Sequence, residues 1–157
     1  MKPLIVLLSV FLVSVVVGKL RGKSNVLFSG ILAMSAMLVF TAIGHFAFPE
    51  GMAMMIPAFI PFRPELVVIT GIFEIVAAVW LQIPGQRKAV SWLLIAFFVL
   101  ILPANIYAAL HNVNYQEATF DGPGLDYLWF RVPLQLLFIG WMYYFGIVGM
   151  RRGNTNA

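Results

Sequence analysis

The chain has 157 residues, of which 62% are hydrophobic and 10% charged, and its formal net charge is +4. A water-soluble domain carries about 25% charged residues, so this composition excludes a soluble globular protein and indicates one that lies largely in lipid. The sequence has no cysteine, which excludes thiolate nucleophiles, iron–sulfur ligation by cysteine and palmitoylation.

The basic residues do not form a stripe of the kind that binds nucleic acid. They lie in short groups between apolar blocks, at residues 19–23, 87–88 and 151–152. This pattern is typical of loops held at the anionic face of a membrane. We therefore expect the lipid bilayer, and no nucleic acid, as a partner of this chain.

Five apolar blocks predict membrane-spanning helices, because about 20 helical residues cross the hydrocarbon core. The block at 3–18 is short, and the block at 26–48 is uncharged and of full length. The block at 66–83 contains Glu74, the block at 90–110 is uncharged, and the block at 126–148 contains Arg131. The predicted fold class is an all-α membrane protein, a four-helix transmembrane bundle plus an additional N-terminal transmembrane helix.

This pattern divides the chain into three parts and sets its predicted orientation. Residues 1–25 form the N-terminal helix and a basic cytoplasmic loop, residues 26–150 the four-helix membrane domain, and residues 151–157 a short cytoplasmic tail. With five spans, most Lys and Arg residues face the cytoplasm, as the positive-inside rule requires. We therefore expect a cell inner (plasma) membrane protein with its N-terminus outside and its C-terminus in the cytoplasm.

The first block has a second interpretation, a signal peptide that is cleaved after its small residues. Cleavage would reverse every later loop and turn the basic loops outward, against the positive-inside rule. The charge distribution favours a retained span, but the sequence alone leaves retention of residues 3–18 open.

The segment at 49–64 is too apolar for a solvated loop, yet Pro57, Pro61 and Pro64 exclude one long regular helix. We expect it at the outer face, lying in the membrane interface or dipping between helices. It is either a structural plug or, because methionine side chains are flexible, a lid over a site for an apolar guest.

The polar residues of the predicted spans collect in the outer half of the bundle, whereas the inner half is apolar. A charged group at a helix centre costs about 2.5–3.5 kcal/mol, so such groups usually face the bundle interior and find partners. Glu74 and Arg131 differ in predicted depth by about 6 Å, which an arginine side chain can bridge. The candidate site residues, drawn from all four helices, are Glu74, Arg131, Asn105, His45, Gln135 and Thr70.

Two interpretations of this cluster stay open, and they are compatible. In the first, Glu74 and Arg131 form a buried clamp that fixes which helices are neighbours, and the other polar residues complete its hydrogen bonds. In the second, the cluster lines a pocket for a quinone, a lipid or another apolar molecule with a polar head. A proton relay through Glu74 and His45 is a variant of the second.

No self-sufficient catalytic constellation is visible, so catalytic residues stay unassigned and the sequence does not decide whether the protein is an enzyme. A metal site built from His45 and Glu74 alone would have too few ligands, and we predict none. The sequence contains no phosphate-binding glycine loop and no nucleophile elbow.

Several stretches resemble the DoxX-like family of small integral membrane proteins. They are GHF at 44–46 with Pro49, TGIFEI at 70–75, LPANIYAAL at 102–110 and LWFRVPLQ at 128–135. The resemblance covers residues 26–148 and implies a four-helix membrane bundle with Glu74, Asn105 and Arg131 at a polar site. It further implies an association with quinone-linked oxidation or with membrane redox complexes. The first span and the acidic outer loop at 111–126 depart from the family pattern.

The leading functional hypothesis is an accessory or small-molecule-binding subunit in a membrane redox pathway. It would hold a quinone-like or lipid-like molecule near Glu74 and Arg131, with a quinone as its cofactor and a membrane redox protein as its partner. One alternative is a non-catalytic assembly or stability factor for another membrane protein. The second alternative is a proton-linked small-molecule carrier.

Overall fold

The structure is a computed structural model that describes residues 2–23 and 25–149. The helices are α1 (Lys2–Leu20), α2 (Val26–Ala47), α3 (Pro49–Ala53), α4 (Arg63–Trp80), α5 (Arg87–Leu110) and α6 (Asp126–Trp141). A π-helix, Met142–Val148, continues α6. The described residues contain no β-strand, although an isolated β-bridge joins Asn114 to Thr119. The predicted tail at 151–157 lies outside the described residues.

Among the described residues, four helices are long and apolar enough to cross a membrane. They are α1, α2, α5 and the stretch Asp126–Val148, which joins α6 to the π-helix. The prediction of an all-α membrane fold is therefore confirmed. The predicted third span corresponds to α4, which is not among the four because it carries Arg63, Glu65 and Glu74 within 18 residues.

Helices α2 and α4 pack as an antiparallel pair along most of their length. At one end, the Ser35 hydroxyl donates to the carbonyl oxygen of Ala78 at 2.9 Å, and Gln82 Nε2 donates to Ser35 Oγ at 2.6 Å. At the other end, Gly71 lies so near His45 that a Cβ on Gly71 would be 2.9 Å from the Cβ of His45. The two helices therefore stay in contact over about 15 Å.

Helices α5 and α6 form a second antiparallel pair, which continues into the π-helix. The rings of Phe98 and Phe138 lie 5.7 Å apart in the middle of this pair. At its far end, a Cβ on Gly146 would overlap the hydroxyl oxygen of Ser91. The wide turn of the π-helix thus brings its backbone directly against α5, and glycine is the residue that permits this approach.

The two pairs meet through the core and through the π-helix. Trp141 Nε1 donates to the carbonyl oxygen of Gly30 on α2 at 2.9 Å, and a Cβ on Gly30 would overlap the ring of Phe145. Side chains from both pairs, α2 with α4 and α5 with α6, fill the space between them. They are Met34, Met37, Leu38, Ala77, Ala78, Leu81, Leu94, Phe98, Leu134 and Phe138. This arrangement is the predicted four-helix bundle.

Helix α1 packs on the outside of the bundle, against α2 and the π-helix. Its Leu7 is fully buried, and its Phe11 ring lies 5.0 Å from that of Trp141 and 5.6 Å from that of Phe145. The Ser14 hydroxyl donates to Ser29 Oγ on α2 at 2.9 Å. The first helix is thus an addition to the four-helix core, as the sequence predicted.

Two segments close one end of the bundle, and together they are called the cover: residues 49–62, which include α3, and the loop at residues 111–125. The Phe48 ring lies 6.2 Å from the Tyr115 ring in an edge-to-face arrangement. A Cβ on Gly51 would be 2.6 Å from the carbonyl carbon of Tyr115. The two segments are therefore packed against each other at backbone distance, while Phe59 at the tip of the first is 86% exposed.

The loop of the cover is also held by its own polar contacts. The Thr119 hydroxyl donates to the Asp121 carboxylate, and this hydrogen bond holds the pKa of Asp121 below its usual value. Backbone hydrogen bonds between Asn114 and Thr119 close the turn. The acidic loop is thus structured by contacts within itself, and Asp121 is committed to them.

Arg87, at the start of α5, caps the end of α4. Its Nε donates to the Leu81 carbonyl oxygen at 3.0 Å and its Nη2 to that of Gln82 at 3.4 Å. We expect Arg87→Met to lower the free energy of unfolding by about 1 kcal/mol, because these carbonyls then lose their donor. Thermal unfolding in detergent measures the effect. Lys88→Met is the matched control, and equal stability losses in both variants would contradict the capping role.

Candidate functional site

Glu74 on α4 lies inside the bundle, with 4% of its surface exposed. His45 Nδ1 lies 3.3 Å from Glu74 Oε2, but it also lies 3.0 Å from the carbonyl oxygen of Thr41. A carbonyl oxygen can only accept a hydrogen bond, so the short contact with Thr41 requires a proton on Nδ1. This N–H donates to Thr41 and is therefore not available to Glu74. Glu74 Oε2 is consequently buried without a hydrogen-bond partner among the described residues.

Arg131 on α6 has its hydrogen-bond partner on α5. Its Nε donates to Asn105 Oδ1 at 3.1 Å, and Asn105 Nδ2 donates to the carbonyl oxygen of Ile101 at 3.0 Å. Asn105 is buried and fixed to its own helix, so it is a rigid acceptor for the guanidinium. The side chain of Asn105 thus decides where Arg131 points.

The expected bridge between Glu74 and Arg131 is therefore wrong for the part of the chain that the structure describes. The contact found there within 4.0 Å joins Glu74 to His45, which is charged only when it is protonated. The physical reason is that each charged group has a nearer partner on the adjacent antiparallel helix. The predicted clamp is replaced by two separate polar pairs, one within α2 and α4 and the other within α5 and α6.

Gln135 and Thr70 have different roles from those of the two pairs. Gln135 is buried and donates from Nε2 to the carbonyl oxygen of Phe98, so it ties α6 to α5 one turn before Pro103. The Thr70 hydroxyl donates to the carbonyl oxygen of Val67, on its own helix, at 2.8 Å. The hydroxyl hydrogen of Thr70 is therefore not available to Glu74.

Thr41 is the site residue that sequence reasoning missed. Its carbonyl oxygen holds His45, and its hydroxyl donates to the carbonyl oxygens of Met37 and Leu38. The same hydroxyl lies beside the Glu74 carboxyl group, but its one hydrogen is directed to those carbonyls, so Glu74 Oε2 gains no donor from it. The available signal was its position one helical turn before His45, on the same face of α2.

The two polar pairs lie at the same depth in the bundle. Phe145 contacts Gly30, and α2 and α6 run antiparallel from this contact towards the cover. At 1.5 Å per residue, Arg131 lies about 21 Å along from Phe145, and His45 lies about 22 Å along from Gly30. Four helices thus place polar groups at one level, directly beneath the cover.

Tyr115 connects the cover to this level. Burial raises the pKa of Tyr115, the neighbouring Tyr127 raises it further, and the charge of Arg131 lowers it. The guanidinium carbon of Arg131 lies 5.9 Å from the centre of the Tyr127 ring. Arg131 therefore lies within electrostatic reach of the phenol groups that line the underside of the cover.

A cavity of about 10 Å³ lies between the cover and the helices, lined by Met55, Ala108, Ala109, Val113, Tyr115, Pro123, Gly124 and Tyr127. This volume has room for about one water molecule. Pockets for larger organic ligands measure about 300–1,000 Å³, so a ligand of that size would enter this space only if the cover moved. Among residues 2–23 and 25–149, no three His, Asp or Glu side chains are grouped to hold a metal ion.

Fold and site together define a helical membrane protein with a polar cluster beneath one covered end. A sequence model of the family described as "Domain of unknown function (DUF8561)" matches residues 34–145, which is more than half of the chain. The chain therefore belongs to this family. The matched region runs from α2 into the π-helix, so it contains the polar cluster and the cover but not α1. Neither the curated proteins nor the solved structures contain a match to this chain.

Proposed function

We propose that this protein binds a small apolar molecule with a polar head, quinone-like or lipid-like, beneath the cover. The observation that carries the proposal is the Glu74 carboxyl oxygen, which is buried without a hydrogen-bond partner in the part of the chain that the structure describes. The resemblance of residues 26–148 to the DoxX-like family supports an accessory role in a membrane redox pathway.

The unpaired oxygen of Glu74 is energetically unfavourable when no ligand is bound. A buried acceptor without a donor costs about 1–3 kcal/mol, so such groups are rare in native proteins. A ligand with a hydroxyl group would provide the missing donor, and a protonated Glu74 would instead donate to a quinone carbonyl. Either exchange offsets the cost only when the ligand is bound, which favours a binding site over a purely structural role.

The small cavity under the cover, which no residue of the two polar pairs lines, also favours an apolar ligand. Met55 and Tyr115 lie on the two segments of the cover, and both line the small cavity. Flexible methionine side chains repack easily around an apolar guest. We infer that the cover shifts to admit the hydrophobic part of the ligand, while its head reaches the level of Glu74.

We further propose that α4 crosses the membrane as a fifth span and that the N-terminus lies outside. The antiparallel contact between α2 and α4 supports this topology, because a helix that follows a spanning neighbour over about 15 Å shares its depth. Glu74 is buried, so the charge that makes α4 less apolar need not face lipid.

Native mass spectrometry with decylubiquinone tests the proposal. We expect the wild type to carry the quinone and Glu74→Gln to bind it about tenfold more weakly, because a neutral amide is a weaker hydrogen-bond partner than a carboxyl group. Glu65→Gln is the matched control, since Glu65 lies in the exposed first turn of the same helix. Equal quinone binding by the wild type and Glu74→Gln, or no binding by any form, would count against the site.

A non-catalytic assembly factor is the second candidate. This candidate is favoured by the amide nitrogens of Asn105 and Gln135, which donate to carbonyl oxygens of α5, as in a structural network. This candidate predicts a stable membrane-protein partner in mild detergent, retained when Glu74 is replaced by glutamine. Loss of that partner together with loss of ligand would indicate instead that the ligand forms part of the contact.

A further inference from the structure

Arg131 uses one of its three nitrogens within the described chain. Nε is bonded to Asn105, whereas neither terminal nitrogen has a hydrogen-bond partner among the described residues. No described carboxylate lies within 4.0 Å of the guanidinium, since the acid–base contact found in that range joins His45 and Glu74. Asn105 is neutral, so Asn105 positions the charge of Arg131 without a described carboxylate in direct contact.

The nearby acidic residues of the chain either contact other residues or are exposed. Glu74 lies against His45, and Asp121 accepts from Thr119 and Asn114 in the loop of the cover. Glu50 and Asp126 are exposed at the ends of their helices. An uncompensated cation within the membrane costs about 2.5–3.5 kcal/mol at a helix centre, and somewhat less nearer the headgroups. The natural counter-ion for Arg131 would therefore come from outside the chain.

The shape of the free edge restricts what this counter-ion is. A guanidinium presents parallel N–H groups in a fixed plane, and these match the two oxygens of a carboxylate or phosphate. With Nε held by Asn105, the plane cannot turn freely, so the terminal nitrogens are pre-oriented for such a group. The Tyr127 ring, 5.9 Å from the guanidinium carbon, supports the cation on one side.

Arg131 also faces the bundle and not the surrounding lipid. Trp129 is 85% exposed and Leu136 is 62% exposed, and they mark the outward face of α6. Arg131 shares the opposite face with Gln135, which is buried. An anion bound by Arg131 would therefore lie beneath the cover, at the level of Glu74.

We propose that Arg131 binds the oxyanionic head group, phosphate or carboxylate, of an amphiphile held beneath the cover. The inference rests on the proposed function and assigns an anionic amphiphile as the ligand that binds most tightly at a site that also admits neutral ones such as a quinone. The terminal nitrogens of Arg131 donate to two oxygens of the head. The buried Glu74 oxygen accepts from a hydroxyl group of the same head, so the ligand is a hydroxyl-bearing oxyanion with an apolar tail.

Phosphatidylglycerol has both groups and provides the test, with phosphatidylcholine as the reference lipid. The protein is reconstituted in nanodiscs that contain both lipids, released in the mass spectrometer, and the retained lipid is counted. We expect the wild type to retain phosphatidylglycerol preferentially. Arg131→Gln should lower this retention at least about tenfold, and Arg131→Lys should lower it less because it keeps the charge but not the fork.

Arg63→Gln is the matched control, because Arg63 is a cation at the cover end of α4, and it should retain phosphatidylglycerol as the wild type does. Inorganic phosphate added to the nanodiscs that contain both lipids distinguishes the source of the anion. Displacement of phosphatidylglycerol by phosphate would support the same Arg131 site with a soluble ligand. Circular dichroism melts show whether each variant is folded.

Equal retention of the two lipids by the wild type would overturn the inference, and this comparison needs no variant protein. Unchanged retention by folded Arg131→Gln would overturn it as well. If decylubiquinone binding still depended on Glu74 in either case, the proposed function would stand and only the anionic head would be excluded. If both ligands failed to bind, both proposals would fall.

Discussion

Gly51→Ala is expected to separate the two segments of the cover and to lower the free energy of unfolding by about 3 kcal/mol. The added Cβ would overlap the carbonyl oxygen of Tyr115 and lie 2.6 Å from its carbonyl carbon. Backbone atoms cannot rotate away as a side chain can, so one of the two segments must move. Overpacking of a well-packed contact costs about 1–3 kcal/mol, and a clash with backbone lies at the upper end.

Thermal unfolding in detergent measures the loss, and protease cleavage within residues 54–62 measures how far the cover opens. Gly140→Ala on α6 is the matched control, because nothing lies within 4 Å of its added Cβ. There the better helix propensity of alanine should leave stability unchanged or slightly raised. A Gly51→Ala protein as stable and as protease-resistant as Gly140→Ala would show that the two segments do not hold each other.

Asn105→Leu is expected to destabilise the protein by about 2 kcal/mol and to release Arg131 from α5. The substitution removes the acceptor of Arg131 Nε and leaves a partly buried cation with no partner among the described residues. The loss of a partner for a charged donor costs more than the loss of a neutral hydrogen bond. Unfolding in detergent measures the loss of stability, and weaker phosphatidylglycerol retention measures the misplacement of Arg131.

A double variant separates this effect from a simple packing defect. Asn105→Leu combined with Arg131→Leu removes both the acceptor and the unpaired cation, so it should be less destabilised than the sum of the single variants. Asn105→Asp keeps an oxygen for Arg131 and should retain most of the stability. Strict additivity of the two leucine variants would show that Asn105 and Arg131 do not interact.

The helices could be predicted from the sequence because apolar runs of membrane length have few alternative structures. The predicted span at 26–48 corresponds to α2, Val26–Ala47, and the span at 90–110 to α5, Arg87–Leu110. The third span was placed at 66–83 but the helix is Arg63–Trp80. Pro64 was interpreted as the end of the preceding segment, whereas it lies in the first helical turn, where a missing backbone N–H is harmless.

The depth of Glu74, Arg131 and His45 could be predicted, but their pairing and the part played by Thr41 could not. Sequence position gives the depth of Glu74, Arg131 and His45 along their helices, and the structure places these residues near one level. Pairing depends on the rotation of each helix about its axis and on which helices are neighbours. Those quantities follow from packing contacts such as that between Gly71 and His45, which leave little trace in composition or spacing.

The π-helix was missed for a related reason. Residues 142–148 have an apolar composition that fits an α-helix equally well, and the predicted span ran through them without a change. The wider turn is stabilised by close approach of Gly146 to Ser91 on α5, a tertiary contact between segments distant in the sequence. Local propensity therefore cannot distinguish the two helix types here.

The apolar packing at the end of the bundle opposite the cover has a consequence for how any occupant exchanges. Leu94, Phe98 and Phe138 belong to the continuous core below the polar pairs, and Trp141 joins α6 to α2 beyond them. Packed apolar side chains thus close the site on the side away from the cover. A bound ligand would enter and leave on the cover side. Its occupancy would therefore depend on the ligand concentration on that side of the membrane and not on a gradient across the membrane.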